Sequence, residues 1–291
     1  MSNSNEPRLR IAISGGGLAG AITCHALSLH AHLDVHIFES APAFKEAGAA
    51  IGIARNAQKA LNLIGPSAVD RLKSAGAVPL AGVRFKLGHG PDQGTLIDEA
   101  LSRSDNLVSI VHRAAFLHEL LLGVPEDRMH ASKKLVKVDE GQDLTLHFQD
   151  GSTHDCDILI GADGIHSRVR KFVLGEDDPA ASPVCAGFWL VQALHPYEET
   201  RAVLGKDLID FHDPREYGWI GDGTFMMHNV LSDGTLAQLM IGVACNPDEA
   251  DGQWQKVVTK QELAKACEGG PKHLGDGFRK VSVLDNSFAG S

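Results

Sequence analysis

Positive charge is scarce in this chain. Its 27 lysines and arginines stand against 37 acidic residues, for a formal charge of −10. That balance removes the general case for binding nucleic acid or an anionic membrane. Cysteine is also sparse: Cys24, Cys156, Cys185, Cys245 and Cys267 are spread along the chain with no C-x-x-C pair. An odd count without a framework points to a reducing compartment and free, mostly buried thiols. No stretch approaches the length of apolar sequence needed to span a bilayer. The polar start, Met1 to Arg10, lacks the apolar segment of a signal peptide, so the cytoplasm is the expected location. Aromatics make up only 5% of the residues, and there is no internal repeat or low-complexity tract. What remains is ordinary globular usage, 43% hydrophobic and 22% charged. With 291 residues the prior is two domains or one large one, needing no disulfide or metal staple. Glycine alone is in excess, at 31 residues, so the positions of the glycines matter.

The first of those positions follow a strand. Leu9 to Ser14 reads as a short buried strand ending in Gly15-Gly16-Gly17. Leu18, Ile22, Ala26 and Leu29 then recur at helical spacing, and Val35 to Phe38 forms a second strand closing on Glu39. Strand, glycine turn, helix and strand make a βαβ unit, which implies a parallel sheet. Pro42 to Ala54 reads as a Gly/Ala-rich loop, and Asn56 to Ala75 as two helices broken at Gly65-Pro66. Beyond it, Val83 to Leu87 is a strand followed by a glycine-rich excursion. Val108 to Val111 is a strand that leads through His112-Arg113 into a helix over Ala115 to Leu122. Leu135 to Val138 and Leu144 to Phe148 alternate around Gly141, with a turn at Asp150-Gly151. Asp157 to Ile160 is another buried strand. From Phe188 to Val243 the texture turns to longer β segments, which places a domain boundary near Gly175 to Pro183.

Gly15-x-Gly17-x-x-Gly20 lies between a predicted strand and a predicted helix, the setting in which this pattern binds a dinucleotide. The first glycine permits the tight turn, the second lets a pyrophosphate approach the backbone, and the third lets helix pack on strand. Glu39, nineteen residues past Gly20, is placed to accept from ribose hydroxyls. The plainer alternative is a glycine-rich turn beside a surface glutamate, and the pattern does not separate NAD(P) from FAD. A metal site is not expected. His32 and His36 straddle a helix-to-strand turn, and no H-E-x-x-H or G-x-S-x-G occurs. Met226-Met227 fits a core better than a substrate wall.

The stretch Asp157-Ile158-Leu159-Ile160-Gly161-Ala162-Asp163-Gly164-Ile165-His166-Ser167-Arg168-Val169-Arg170 resembles the second block of the flavoprotein aromatic hydroxylases. With Gly48-Ala49-Ala50-Ile51-Gly52-Ile53, Asn56-Ala57 and Val111 to Leu117, the chain is similar to the salicylate-hydroxylase-like FAD-dependent monooxygenases, including fungal biosynthetic relatives. The resemblance runs from Arg8 to about Val243. It implies an α/β fold, a Rossmann-type FAD-binding domain interleaved with a β-rich substrate domain. The expected segments are 8–80 and 108–176 for FAD, 81–107 as a substrate-domain excursion, 177–270 for the β-rich domain and 271–291 as a truncated tail. The resemblance implies FAD held by Gly15, Gly17, Gly20, Glu39, Gly52, Arg113 and Asp163, with Arg170 serving the pyridine nucleotide. It also implies NADH or NADPH as co-substrate and oxygen transfer through a flavin hydroperoxide to a small phenolic or aromatic substrate. Read from the residues alone, Asp163 or Ser167 is equally a helix cap and Arg170 a solvated cation. Arg113 is equally a helix-start cation that a bound anion would relieve.

Two departures qualify that expectation. Gln192 stands where the family commonly carries an arginine facing the flavin or substrate, keeping hydrogen bonding but losing a fixed charge. It is the one catalytic candidate, and an ordinary strand residue is the alternative. The family's third block, Gly-Asp followed by Ala-x-His and proline, is not found: Gly275-Asp276 leads into Gly277-Phe278-Arg279-Lys280. The expectation is therefore a C-terminally truncated chain. Two further readings stay open, an inactive flavoprotein remnant and an NAD(P)-dependent oxidoreductase without flavin.

Overall fold

The computed structural model describes residues 8–45, 50–101, 108–246 and 258–280. Along the chain run β1 (Leu9–Ser14), α1 (Leu18–Ser28), β2 (Leu33–Phe38), β3 (Ala50–Ala54), α2 (Arg55–Ile64) and α3 (Pro66–Ser74). Then come β4 (Val78–Pro79), β5 (Gly82–Leu87), β6 (Leu96–Leu101), β7 (Val108–His112) and α4 (Arg113–Leu121). Next are β8 (Met129–His130), β9 (Leu135–Glu140), β10 (Leu144–Phe148), β11 (Thr153–Cys156), β12 (Ile158–Gly161) and α5 (Arg168–Leu174). The last group is β13 (Phe188–Pro196), α6 (Tyr197–Leu204), β14 (Arg215–Ile220), β15 (Thr224–Leu231), β16 (Leu236–Ala244), α7 (Lys260–Ala266) and α8 (Lys272–Lys280). Among the described residues, no helix is long and apolar enough to cross a membrane.

Two compact units share this chain. The first comprises residues 1–46, 61–71 and 114–183; the second comprises 47–60, 72–113 and 184–291. Stretches 47–60, 72–80 and 108–113, grouped by sequence with the FAD-binding segments, thus fall in the second unit.

In the first unit a parallel sheet runs in the order β12-β1-β2-β8. Its central strand is apolar on both faces because both are covered, as parallel strands require. Ile11 and Ile13 pack with Cys24 of α1 and with Val35 and Ile37 of β2. On the opposite face Ala12 and Phe38 meet Leu135, Leu146, Phe148 and Cys156 of an antiparallel sheet, β11-β10-β9. The sequence places the β9–β10 hairpin but not β11, three of whose four residues are polar.

In the second unit six strands run β13-β16-β15-β14-β5-β6, antiparallel except for the β14/β5 pair. Period-two alternation gives each strand one side toward α6, α7 and α8. Val191, Tyr217, Trp219, Met226, Leu239 and Ile241 meet Leu204, Leu263, Leu274 and Phe278 in that core. Thr259 and Glu262 close a capping box that starts α7. A second, three-stranded sheet, β3-β7-β4, joins Leu80 and Ile110 to Leu231 of the large sheet. Part of the expected loop Pro42 to Ala54 is therefore strand: Ala50–Ala54 pairs with Val108–His112, and pairing overrides its glycine and alanine content. Gly275-Asp276 lies inside α8, with Gly275 buried and Asp276 accepting from Arg279 at 2.7 Å, so it is part of a helix and not a loop motif.

One buried group in this core carries a pH dependence. His228 is fully buried, its ring stacked 5.0 Å from that of Tyr217, and neither ring nitrogen has a hydrogen-bond partner. Burial pushes its imidazole down to about 3, and His273 and Lys86 add to the fall. The unfolded chain then binds the proton first, near pH 6.5, so the stability from this site is complete above that pH and drains as pH falls toward 3. The Tm should decline steadily below pH 6.5. His228→Phe, which keeps the stack and removes the titrating group, should flatten that decline and raise stability by about 1 kcal/mol, both read by thermal unfolding across pH 4–8.

Candidate functional site

The turn after β1 is built by what its glycines lack. Gly15 has φ +109° and donates its N–H to the Phe38 carbonyl at 2.8 Å. A Cβ there would lie 2.2 Å from the Ala162 carbonyl oxygen and 2.8 Å from the Asp163 Cα. A Cβ on Gly20 would lie 1.9 Å from the Gly15 carbonyl oxygen, so α1 rests directly on the turn. Gly17 caps α1 with extended backbone and no side-chain bond, and the first turn of the helix holds no acid. The positive end of the helix dipole is thereby left for an anion.

Glu39 reaches this mouth from the end of β2. Its carboxylate accepts from the Gly16 N–H at 2.7 Å and from the Ala41 N–H at 2.7 Å, and the Ser40 hydroxyl donates to it at 3.0 Å. Gly16 has no room for a side chain beside Glu39 and the Phe44 ring. The structure thus brings Gly15, Gly17, Gly20, Glu39 and Asp163 together in the first unit.

Asp163 does so by its backbone. Its carboxylate accepts from the Ser167 hydroxyl and from the N–H groups of Arg168 at 2.7 Å and Val169 at 3.2 Å. Ser167 in turn accepts from the Arg170 N–H at 2.9 Å. Both are caps of α5, the alternative the residues alone allowed. The Arg170 guanidinium is spent on carbonyls of its own segment, donating to Ala181 at 3.3 Å and to Ile165. The carboxylate fixes the loop that the Gly15 turn rests on.

The other candidates belong to the second unit. Gly52 lies in β3 opposite Ile110, and a Cβ there would press on the Val108 side chain at 3.2 Å. Gly48 and Ala49 of the same motif lie outside the described residues. Arg113 opens α4 directly after β7, with no acid in the first turn of the helix. Gln192 sits midway along β13 opposite Met240, and its amide donates to the Met240 sulfur at 3.5 Å. Met226 and Met227 part company: Met226 enters the helix-covered core, while Met227 pairs with Met240 on the other face.

Sequence reasoning missed a histidine cluster in the first unit. His36 Nδ1 lies 2.9 Å from His130 Nε2, and His154 lies 5.1 Å from His36 between ring centroids. Parallel pairing of β2 with β8 and packing of β11 on that face make the cluster, and neither is visible as a local spacing. The facing nitrogens of His36 and His130 are spent on each other. Among the described residues, no group of three His, Cys, Asp or Glu is arranged to hold a metal ion.

No family model matches the chain. It is 37% identical over 238 residues to the 6-methylsalicylate 1-monooxygenase of Aspergillus terreus, covering 78% of this chain and 52% of that protein. It is 35% identical over 280 residues to a salicylate hydroxylase of Pseudomonas putida, covering 92% and 63%. The chain thus spans between half and two thirds of these relatives' lengths. Klebsiella pneumoniae HpxO, solved with FAD and uric acid, shares the fold at a TM-score of 0.72 and 20% identity, over 94% of this chain and 65% of that one.

The glycine contacts predict a contrast. Gly20→Ala must push the Gly15 carbonyl aside and should cost roughly 1–3 kcal/mol, as overpacking does. Gly151→Ala meets nothing within 4 Å and pays only for its left-handed backbone, about 1 kcal/mol. Chemical denaturation of both variants checks the order; equal losses would contradict the close packing at Gly20.

Proposed function

Because the chain belongs to the salicylate-hydroxylase-like FAD-dependent monooxygenases, we propose that it binds FAD and hydroxylates a small aromatic substrate, with NADH or NADPH as reductant and molecular oxygen as oxidant. The reading is carried by one observation: the Glu39 carboxylate holds the Gly16 N–H at 2.7 Å, at the mouth of a helix with no side-chain cap. Such a site suits a dinucleotide. The uncapped N–H groups of α1 would face the pyrophosphate, and Glu39 would exchange the Gly16 N–H for ribose hydroxyls. Gly15, Gly17 and Gly20 would let the phosphates approach. The assignment of Gly52, Arg113 and Asp163 to FAD rests on the resemblance, with the Asp163 backbone bordering the Gly15 turn.

FAD, when bound, supplies the redox chemistry, passing two electrons from NAD(P)H toward oxygen. In the balanced reaction one oxygen atom enters the ring and the other leaves as water, with NAD(P)H oxidised. The protein's share is position, dryness and charge. The β-rich unit would provide the substrate floor, with Gln192 reaching the substrate by its amide. The cytoplasm remains the proposed location, on the same footing.

The test begins with FAD titration of the purified chain, followed by flavin absorbance. Retained flavin, then NAD(P)H oxidation with oxygen uptake that rises on adding a small aromatic substrate, is the expected result. Glu39→Ala should weaken FAD binding roughly tenfold, the value of about one charge-assisted hydrogen bond. A chain that stays colourless in excess FAD would overturn the proposal.

A further inference from the structure

The six-stranded sheet sorts its charges by face. Lys86 and Arg84 of β5, with Arg215 of β14, turn to the side occupied by α6, α7 and α8. Arg84 donates to Glu99 and to the Tyr217 hydroxyl, Arg215 donates to Glu99 at 2.7 Å, and the Lys86 ammonium lies 5.4 Å from the Trp219 ring centre. His195 and His228 alternate onto that same side. Every lysine, arginine and histidine of the six strands is accounted for there.

The opposite face holds none. Across five strands Gln192, Met240, Met227, Gly218 and Phe85 stand in one row. Gly218 is covered by the Phe85 and Phe225 rings, since a Cβ there would meet them at 2.7 and 3.1 Å. The small sheet β3-β7-β4 packs over the far end of this face through Leu231, which gives the row a wall within the same unit. The charges on this face are acids, Glu216 of β14 and Asp98 at the sheet edge, by their place opposite Arg84, Tyr217 and Arg215 in the alternation. Burial pushes the Glu216 carboxyl up. An aromatic ring laid on these methionine and phenylalanine side chains gains apolar burial, but a carboxylate on that ring finds no counter-charge from the sheet and one or two acids of its own sign.

We propose that the ligand of this floor is an uncharged ring bearing hydroxyl donors and no carboxylate, and that Gln192 selects it. The amide nitrogen of Gln192 already faces the Met240 sulfur, a weak acceptor, so its carbonyl is the strong group left for a phenolic hydroxyl. An arginine at this position would invert the preference, because its fixed charge pairs with carboxylate and has no acceptor for a hydroxyl. The inference rests on the reading of the β-rich unit as substrate floor.

Two probes with matched rings test it, 3-methylphenol and 3-methylbenzoate, titrated calorimetrically into the FAD-loaded chain at pH 7.5. The phenol should bind roughly tenfold more tightly or better, since a desolvated, unpaired carboxylate is costly. Gln192→Arg should reverse the order, and Met240→Arg, on the neighbouring strand of the same row, should move it the same way if the first variant folds poorly. Tighter binding of the benzoate by the unaltered chain overturns the inference, as does an unmoved preference in both folded variants. If the chain holds FAD and oxidises NAD(P)H but binds neither probe, the inference falls alone. If it holds no FAD, the functional reading falls with it.

Discussion

Three backbone segments in the first unit lie closer than any side chain allows: the β1 turn, the start of α1 and the loop after β12. A Cβ at Gly20 would stand 1.9 Å from the Gly15 carbonyl oxygen, and one at Gly15 would stand 2.2 Å from that of Ala162. Much else follows from this contact. It seats α1 on the parallel sheet so that Cys24 reaches Ile11 and Ile13. It leaves Gly17 as a cap with no side chain, so the helix dipole ends in open backbone. Beside it, the parallel register of β1 and β2 sets Phe38 opposite Ser14, so that Glu39 can grip the Gly16 N–H. The dinucleotide reading is thus a consequence of packing first and of ligand chemistry second.

The second unit is organised by a different constraint, two faces of one sheet with unlike duties. The helix-covered face is apolar with its cations tied down, and it retains an unpartnered imidazole at His228. A buried group of that kind costs stability unless packing offsets it, and the Tyr217 ring stacked on it is the local offset. The opposite face keeps amides, thioethers and rings. Strand alternation is what separates Met226 from Met227, adjacent in sequence and a full sheet apart in environment.

The βαβ start, both helices around Gly65-Pro66 and the turn to β-rich texture were legible because each carries a local period or a breaker. What could not be read was pairing between distant segments. Ala50–Ala54 looks like a loop until β7 lies beside it, and β6 has too little apolar alternation to announce an edge strand. The His36, His130 and His154 cluster is invisible for the same reason, since three strands of two sheets assemble it. Among the candidate residues, the meeting of Gly15, Gly20 and Glu39 at one turn was legible because it is set within one βαβ unit. The bonding of the Asp163 carboxylate was not, because its motif is compatible with two geometries.

That ambiguity has a physical origin. A carboxylate at the end of a strand, four residues before a serine that starts a helix, can point at a ligand or at the helix. Here it takes the helix, accepting from Ser167, Arg168 and Val169. The consequence for the site is still direct. The cap holds α5 to β12, where Val169 fills the space that a side chain at Gly161 would need. The loop between them, Ala162 to Gly164, is then fixed from one side by α5 and from the other by the Gly15 turn. A carboxylate can therefore set the geometry beside the Gly15 turn through the helix it caps. In this chain the motif that carries the resemblance encodes a helix cap whose product is the position of a loop.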